Sequence, residues 1–195
     1  MKKKNRLIRF LALCGVLLML PAAMIHARGD ISIGQGTMLH AQQALERYGV
    51  QGEPILQYLE LWMDASRRLQ REVGEDGQAL SGAFSGDQEY LAWEADTLKA
   101  VRLEGSKVFL PDYTRLKDDF DKVTPVSGQT YAKRACTAIL LEDSGHEEDW
   151  LKIYLDDETG FVLFCEAPLF RLRTSLLEVL PAEDRLLMPP VGLIF

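Results

Sequence analysis

Two histidines, two cysteines and several acidic runs are the residues that could carry chemistry beyond the first 27 positions of this 195-residue chain. His146 precedes Glu147, Glu148 and Asp149, which are residue types of a divalent-metal site. One imidazole in a short turn, however, lacks the convergent ligands that such a site needs. The run Asp156-Asp157-Glu158-Thr159-Gly160 is also acidic, but it lacks the alternating ligand spacing of an ion-binding loop and reads as a hairpin turn. Nucleophilic catalysis requires Ser or Cys with a histidine base and an orienting acid, and no nucleophile-elbow or cysteine-protease signature surrounds Cys136, Cys165 or any serine. Gly34-Gln35-Gly36 lacks the third glycine of a dinucleotide fingerprint and follows no clear strand. The chain therefore reads as non-enzymatic, with no metal and no cofactor. A small hydrolase using His146 is the catalytic alternative.

The segment ahead of these residues changes what they can mean. Lys2, Lys3, Lys4, Arg6 and Arg9 precede an apolar run from Phe10 to Ile25, and His26-Ala27 follows. This is the layout of a secretory signal peptide over residues 1–27, with an N-terminal anchor as the alternative. Cys14 does not complete a lipobox, because Leu13 before it is not small. The expected location is exported: periplasmic, extracellular, or membrane-anchored and facing outside. Residues 28–195 carry 17 basic and 29 acidic side chains, a formal charge of −12. That acidity argues against nucleic acid or an anionic membrane surface as partner and permits a basic protein. Hydrophobic residues make up 47% of the chain, enough for one globular domain.

The elements that would position any site are mostly short strands. Met38, Ala41, Leu45 and Tyr48 recur at helical spacing before Gly49, which predicts an N-terminal helix within a 28–53 helix-and-linker segment. Over 54–73, the positions Ile55, Leu59, Trp62, Ser66, Leu69 and Val73 fit an amphipathic helix; a strand pair turning at Asp64-Ala65-Ser66 also fits. Glycines at 74, 77, 82 and 86 mark turns, Glu89 to Trp93 reads as a strand, and Leu98 to Leu103 with Lys107 to Leu110 reads as a hairpin turning at Glu104-Gly105-Ser106. Tyr113 to Val126 reads as a helical turn or covering loop. A three-strand antiparallel meander follows at Tyr131–Glu142, Trp150–Leu155 and Phe161–Glu166, and Arg171 to Leu187 reads as a helix broken at Pro181. In the third meander strand both faces are apolar, Phe161, Leu163 and Cys165 against Val162 and Phe164. Cys136 and Cys165 would lie two strands apart, farther than a disulfide spans unless the sheet folds over to bring them together.

The segment from Trp150 through Asp156-Asp157-Glu158-Thr159-Gly160 to Glu166 resembles the hairpin of the outer-membrane lipoprotein carrier superfamily, which also includes periplasmic envelope-stress regulators. Asp184 to Pro190 is similar to the way that superfamily closes. The resemblance implies an α+β fold over 54–195, an antiparallel β-sheet curved into an incomplete barrel with N-terminal and covering helices, and it favours strands over 54–73. It also implies a binding function toward an apolar ligand or a lipidated protein. Apolar side chains facing off the sheet, Trp62, Tyr154, Val162 and Phe164, are the expected ligand-binding residues. A protein-interaction or sensor module with a solid core is the alternative.

Overall fold

The computed structural model describes residues 31–48, 53–86, 89–102 and 120–195. The expected signal segment, the expected strand Lys107–Leu110 and residues 113–119 of the expected Tyr113–Val126 excursion lie outside these residues. Eleven strands are present among the described residues: β1 (Thr37–Arg47), β2 (Ile55–Met63), β3 (Arg68–Val73), β4 (Ala79–Ser85), β5 (Tyr90–Glu94), β6 (Ala100–Arg102), β7 (Lys122–Tyr131), β8 (Arg134–Asp143), β9 (His146–Asp156), β10 (Val162–Ala167) and β11 (Phe170–Pro181). They form one sheet in the order β6-β5-β4-β3-β2-β1-β11-β10-β9-β8-β7, and every pairing between neighbours is antiparallel. The sheet is open: among the described residues β6 and β7 do not pair with each other.

Three expectations fail. Thr37 to Arg47 is the central strand β1 and not a helix. Arg171 to Leu187 is strand β11 followed by a single 3-10 turn, Asp184–Leu187. Lys122 to Val126 belongs to strand β7 and not to a covering loop. The described residues contain no α-helix, so the N-terminal and covering helices implied by the resemblance are absent from them. The reason is visible in β1. Leu39, Ala41 and Leu45 are buried on one face and Met38 on the other. A strand covered on both sides loses the strict alternation that distinguishes it from a helix.

Residues 54–73 form the strand pair. The turn between β2 and β3 has no glycine, and Asp64 does the work instead. Its carboxylate accepts hydrogen bonds from the Ser66 amide at 2.8 Å and the Arg67 amide at 2.6 Å, and the Arg67 guanidinium donates to it at 2.7 and 2.9 Å. This side-chain closure mimics a backbone turn. The β7–β8 hairpin likewise turns without glycine, at Ala132 and Lys133 with φ of 48° and 69°. Two consecutive positive φ values match the twist of the flanking strands. The meander was expected as Tyr131–Glu142, Trp150–Leu155 and Phe161–Glu166, and it is met by β8, β9 and β10.

The register divides the side chains between two faces, and the apolar one changes sides along the sheet. On the first face, Leu45 and Leu59 join Ile139, Leu141, Leu151, Ile153, Cys165 and Leu172 in one core. Beside them Leu39, Ala41, Leu61, Met63 and Phe161 pack with Ile31 and Ile33. On the second face the core lies over β1 to β6, where Met38, Trp62, Leu69, Phe84, Leu91 and Trp93 pack with Leu186, Leu187 and Leu193. Gly82 permits this: a Cβ there would lie 2.2 Å from the Trp93 ring. Cys136 and Cys165 sit on β8 and β10 with β9 between them, both buried and both free.

Candidate binding face

The second face of β7 to β11 carries a half-buried aromatic cluster. Register places Tyr154 on β9 opposite Phe164 on β10 and Ala138 on β8. Their ring centroids lie 5.4 Å apart. Tyr131, at the end of β7, closes the triangle at 5.9 Å from Tyr154 in an edge-on arrangement and 5.6 Å from Phe164. Edge-on and tilted pairs at these distances are the favoured aromatic geometries. The Lys152 ammonium stands 5.1 Å from the Tyr154 ring centroid, within cation–π range. Partial burial pushes the Tyr131 phenol above its ordinary pKa.

Ion pairs frame the cluster. Arg134 donates to both oxygens of Asp156, at 2.6 and 3.0 Å, and to Glu158 at 2.9 Å. The Asp156 side chain is 1% exposed and also accepts from the Thr159 amide and hydroxyl. Burial alone would raise the Asp156 pKa, but the hydrogen bonds from Arg134 and Thr159 hold it below the usual carboxylate range. On the other side Arg171 pairs with Glu166, and Arg173 pairs with Glu46, which also accepts from the Tyr48 hydroxyl. These pairs neutralise the rim and leave the aromatic rings as its apolar part.

Of the four expected ligand-binding residues, the structure brings two together. Tyr154 and Phe164 touch. Trp62 lies on the same face but on β2, three strand spacings from β10, or about 14 Å across the sheet. It is 7% exposed and sandwiched: His40 stacks on it at 5.0 Å and 13°, and the Arg71 guanidinium stands 5.0 Å from its ring. His40 in turn faces two carboxylates, with Nε2 3.0 Å from Glu60 and Nδ1 3.4 Å from Glu178. Val162 is on the opposite face. A β-bulge between Val162 and Phe164 pairs Val162 with Leu155, turning it into the first-face core at 3% exposure. The side chains of His146 to Asp149 lie outside the described residues. Tyr131 and Arg134 are the members that sequence reasoning missed, since the turn between them carries no glycine signal.

The first face holds a different anomaly. Gln70, 3% exposed, and Tyr90, 8% exposed, each bury a polar atom, Nε2 and the hydroxyl, that has no hydrogen-bond partner among the described residues. Burial pushes the Tyr90 phenol up to about 12.

No protein-family model matches the sequence, and no curated protein sequence does either. Solved structures do share its fold. MucB is similar over 85% of this chain and 60% of its own, at 15% identity and a TM-score of 0.58. The MucA/MucB complex of Pseudomonas aeruginosa matches over 78% of this chain and 56% of that one, at 15% identity and 0.55. An uncharacterized conserved protein from Thermus thermophilus matches over 82% and 89%, at 8% identity and 0.53. The chain thus spans little more than half the length of the MucB chains it matches. At these identities the likeness is one of fold, and at that level it agrees with the resemblance read from the Trp150–Glu166 hairpin.

Proposed function

We propose that this protein is an exported, non-catalytic module that binds a protein partner on the aromatic face of β7 to β10. The observation that carries this reading is the Tyr131–Tyr154–Phe164 cluster, left half-buried beside a sheet whose other face is closed by its own side chains. Large aromatics in a polar frame are what protein interfaces use as anchors. A fold solved elsewhere in a MucA/MucB complex supports the same reading. The solid packing of Leu39, Leu45, Leu141, Ile153 and Leu172, each at most 2% exposed, favours it over an open apolar trough. The test replaces Tyr154 and Phe164 by serine in the full chain and follows what copurifies after crosslinking in the native host. Loss of a specific polypeptide with the fold intact supports the proposal; an unchanged set of crosslinked partners removes it.

An apolar ligand or lipidated protein is the second reading. It is favoured by Phe164, an apolar ring that faces off the second face of β10 while Val162, Cys165 and Ala167 fill the core on the other. Native mass spectrometry of the purified protein separates the two, because a retained lipid lost in Phe164→Ser supports this reading and an unliganded mass argues against it.

A further inference from the structure

The strap that follows β11 points to a second binding element at the other end of the sheet. After Pro181 the chain is fastened by Ala182, whose amide donates to the Gly36 carbonyl at 3.0 Å, and by Asp184, paired with Arg67 at 2.8 Å. Leu187 is fully buried in the second-face core. Beyond Pro189-Pro190 the hold becomes slight. The Ile194 amide donates to the Leu98 carbonyl at 2.9 Å, and the Ala100 amide donates to the Ile194 carbonyl at 2.8 Å. These two bonds make a parallel bridge beside β6. Leu193 packs on the second-face core, and the Phe195 ring lies 4.8 Å from the Arg102 guanidinium carbon. Meanwhile Val191 is 98%, Ile194 61% and Phe195 67% exposed. The pairing also needs left-handed backbone at Leu98, with φ of 53°, an unfavourable conformation for a leucine.

We infer that the β6 edge is a strand-acceptor site for an extended peptide with an apolar residue, a pairing residue and an aromatic residue in succession, and that Leu193-Ile194-Phe195 occupies it in cis. An unpaired edge is a template for strand addition, in which backbone bonds supply affinity and alternate side chains supply specificity. The strap shows what such a guest presents: a side chain for the Leu91 and Trp93 core, one residue exchanging both backbone bonds with Leu98 and Ala100, and a ring for Arg102. Because the occupant is tethered, its effective concentration is high and a guest must compete with it. This site goes beyond the aromatic face. Strands β10 and β9 are seven and eight positions from β6, so either proposal can fail alone.

The probe is the heptapeptide Pro-Pro-Val-Gly-Leu-Ile-Phe, copied from residues 189–195, with a control peptide N-methylated at its isoleucine. Full-chain Ile194→Pro removes the donated amide in cis and frees the edge. It is expected to bind the probe at least tenfold more tightly than the unaltered chain, and the N-methylated control at least tenfold more weakly than the probe. Leu193→Ser with Phe195→Ser gives the same result by removing the strap's side chains, should the proline variant not fold. Lys99→Cys with Ile194→Cys, oxidised, locks the strap and is expected to abolish binding. Equal binding by released and unaltered chains, or by probe and N-methylated control, overturns the inference.

Discussion

Tyr90 and Gln70 show how a single buried atom exposes a choice made by the fold. Each forgoes a hydrogen bond that water would supply, and such a loss costs about 1–3 kcal/mol. Tyr90→Phe removes the unsatisfied hydroxyl and leaves the ring, so thermal unfolding is expected to show equal or greater stability, by up to about 1 kcal/mol. A marked loss would mean that the hydroxyl has a partner. Asp156 is the opposite case, a buried carboxylate whose two oxygens both accept hydrogen bonds. Its pKa is depressed in the folded state, so its contribution is complete above the unfolded value of about 4 and is lost as pH falls through the folded value. Asp64 is depressed by the Ser66 and Arg67 bonds despite its partial burial and acts in the same direction. Acid unfolding monitored by circular dichroism is expected to show stability falling below about pH 4, with a shallower fall in Asp156→Asn, which is itself less stable at neutral pH by about 2 kcal/mol.

At the scale of elements, the sheet depends on close approaches and turns that sequence patterns only partly announce. The Gly82–Trp93 contact leaves no room for a methyl group, so Gly82→Ala forces Trp93 out of its place and is expected to destabilise by about 2 kcal/mol, with a changed tryptophan emission. Unchanged emission and stability would show that Trp93 is not seated there. Strand β9 was legible because its apolar residues alternate, and β8 and β10 because they are apolar runs bounded by turns, with Asp156-Asp157-Glu158-Thr159-Gly160 separating β9 from β10. Strand β1 was not. It buries Met38 on one face and Leu39, Ala41 and Leu45 on the other, and its spacing imitates a helix. Strand β11 was obscured in the same way, by charged residues that a helix would also display. The turns at Asp64 and at Ala132-Lys133 use a side-chain bond and left-handed non-glycine residues, which leave little trace in composition.

For the whole molecule, the decisive property is that the apolar core changes faces. It occupies the first face over β1, β2 and β8 to β11, and the second face over β1 to β6. No local pattern encodes this exchange, because it depends on which strands become neighbours. The candidate site was half legible for that reason. Tyr154 and Phe164 follow from alternation within β9 and β10; Val162 was misplaced by a one-residue bulge, and Tyr131 arrives from a strand whose hairpin was not seen. The aromatic face is expected to be a partner surface and not part of the fold's support, so Tyr154→Ser with Phe164→Ser should leave the melting temperature within a few degrees of the parent. The most direct test is a photo-crosslinking amino acid at position 154 of the full chain in its native host. A discrete polypeptide adduct is expected, and it disappears when Phe164 is also changed to serine. A lipid adduct in its place, or a polypeptide adduct indifferent to Phe164, would contradict a partner surface there.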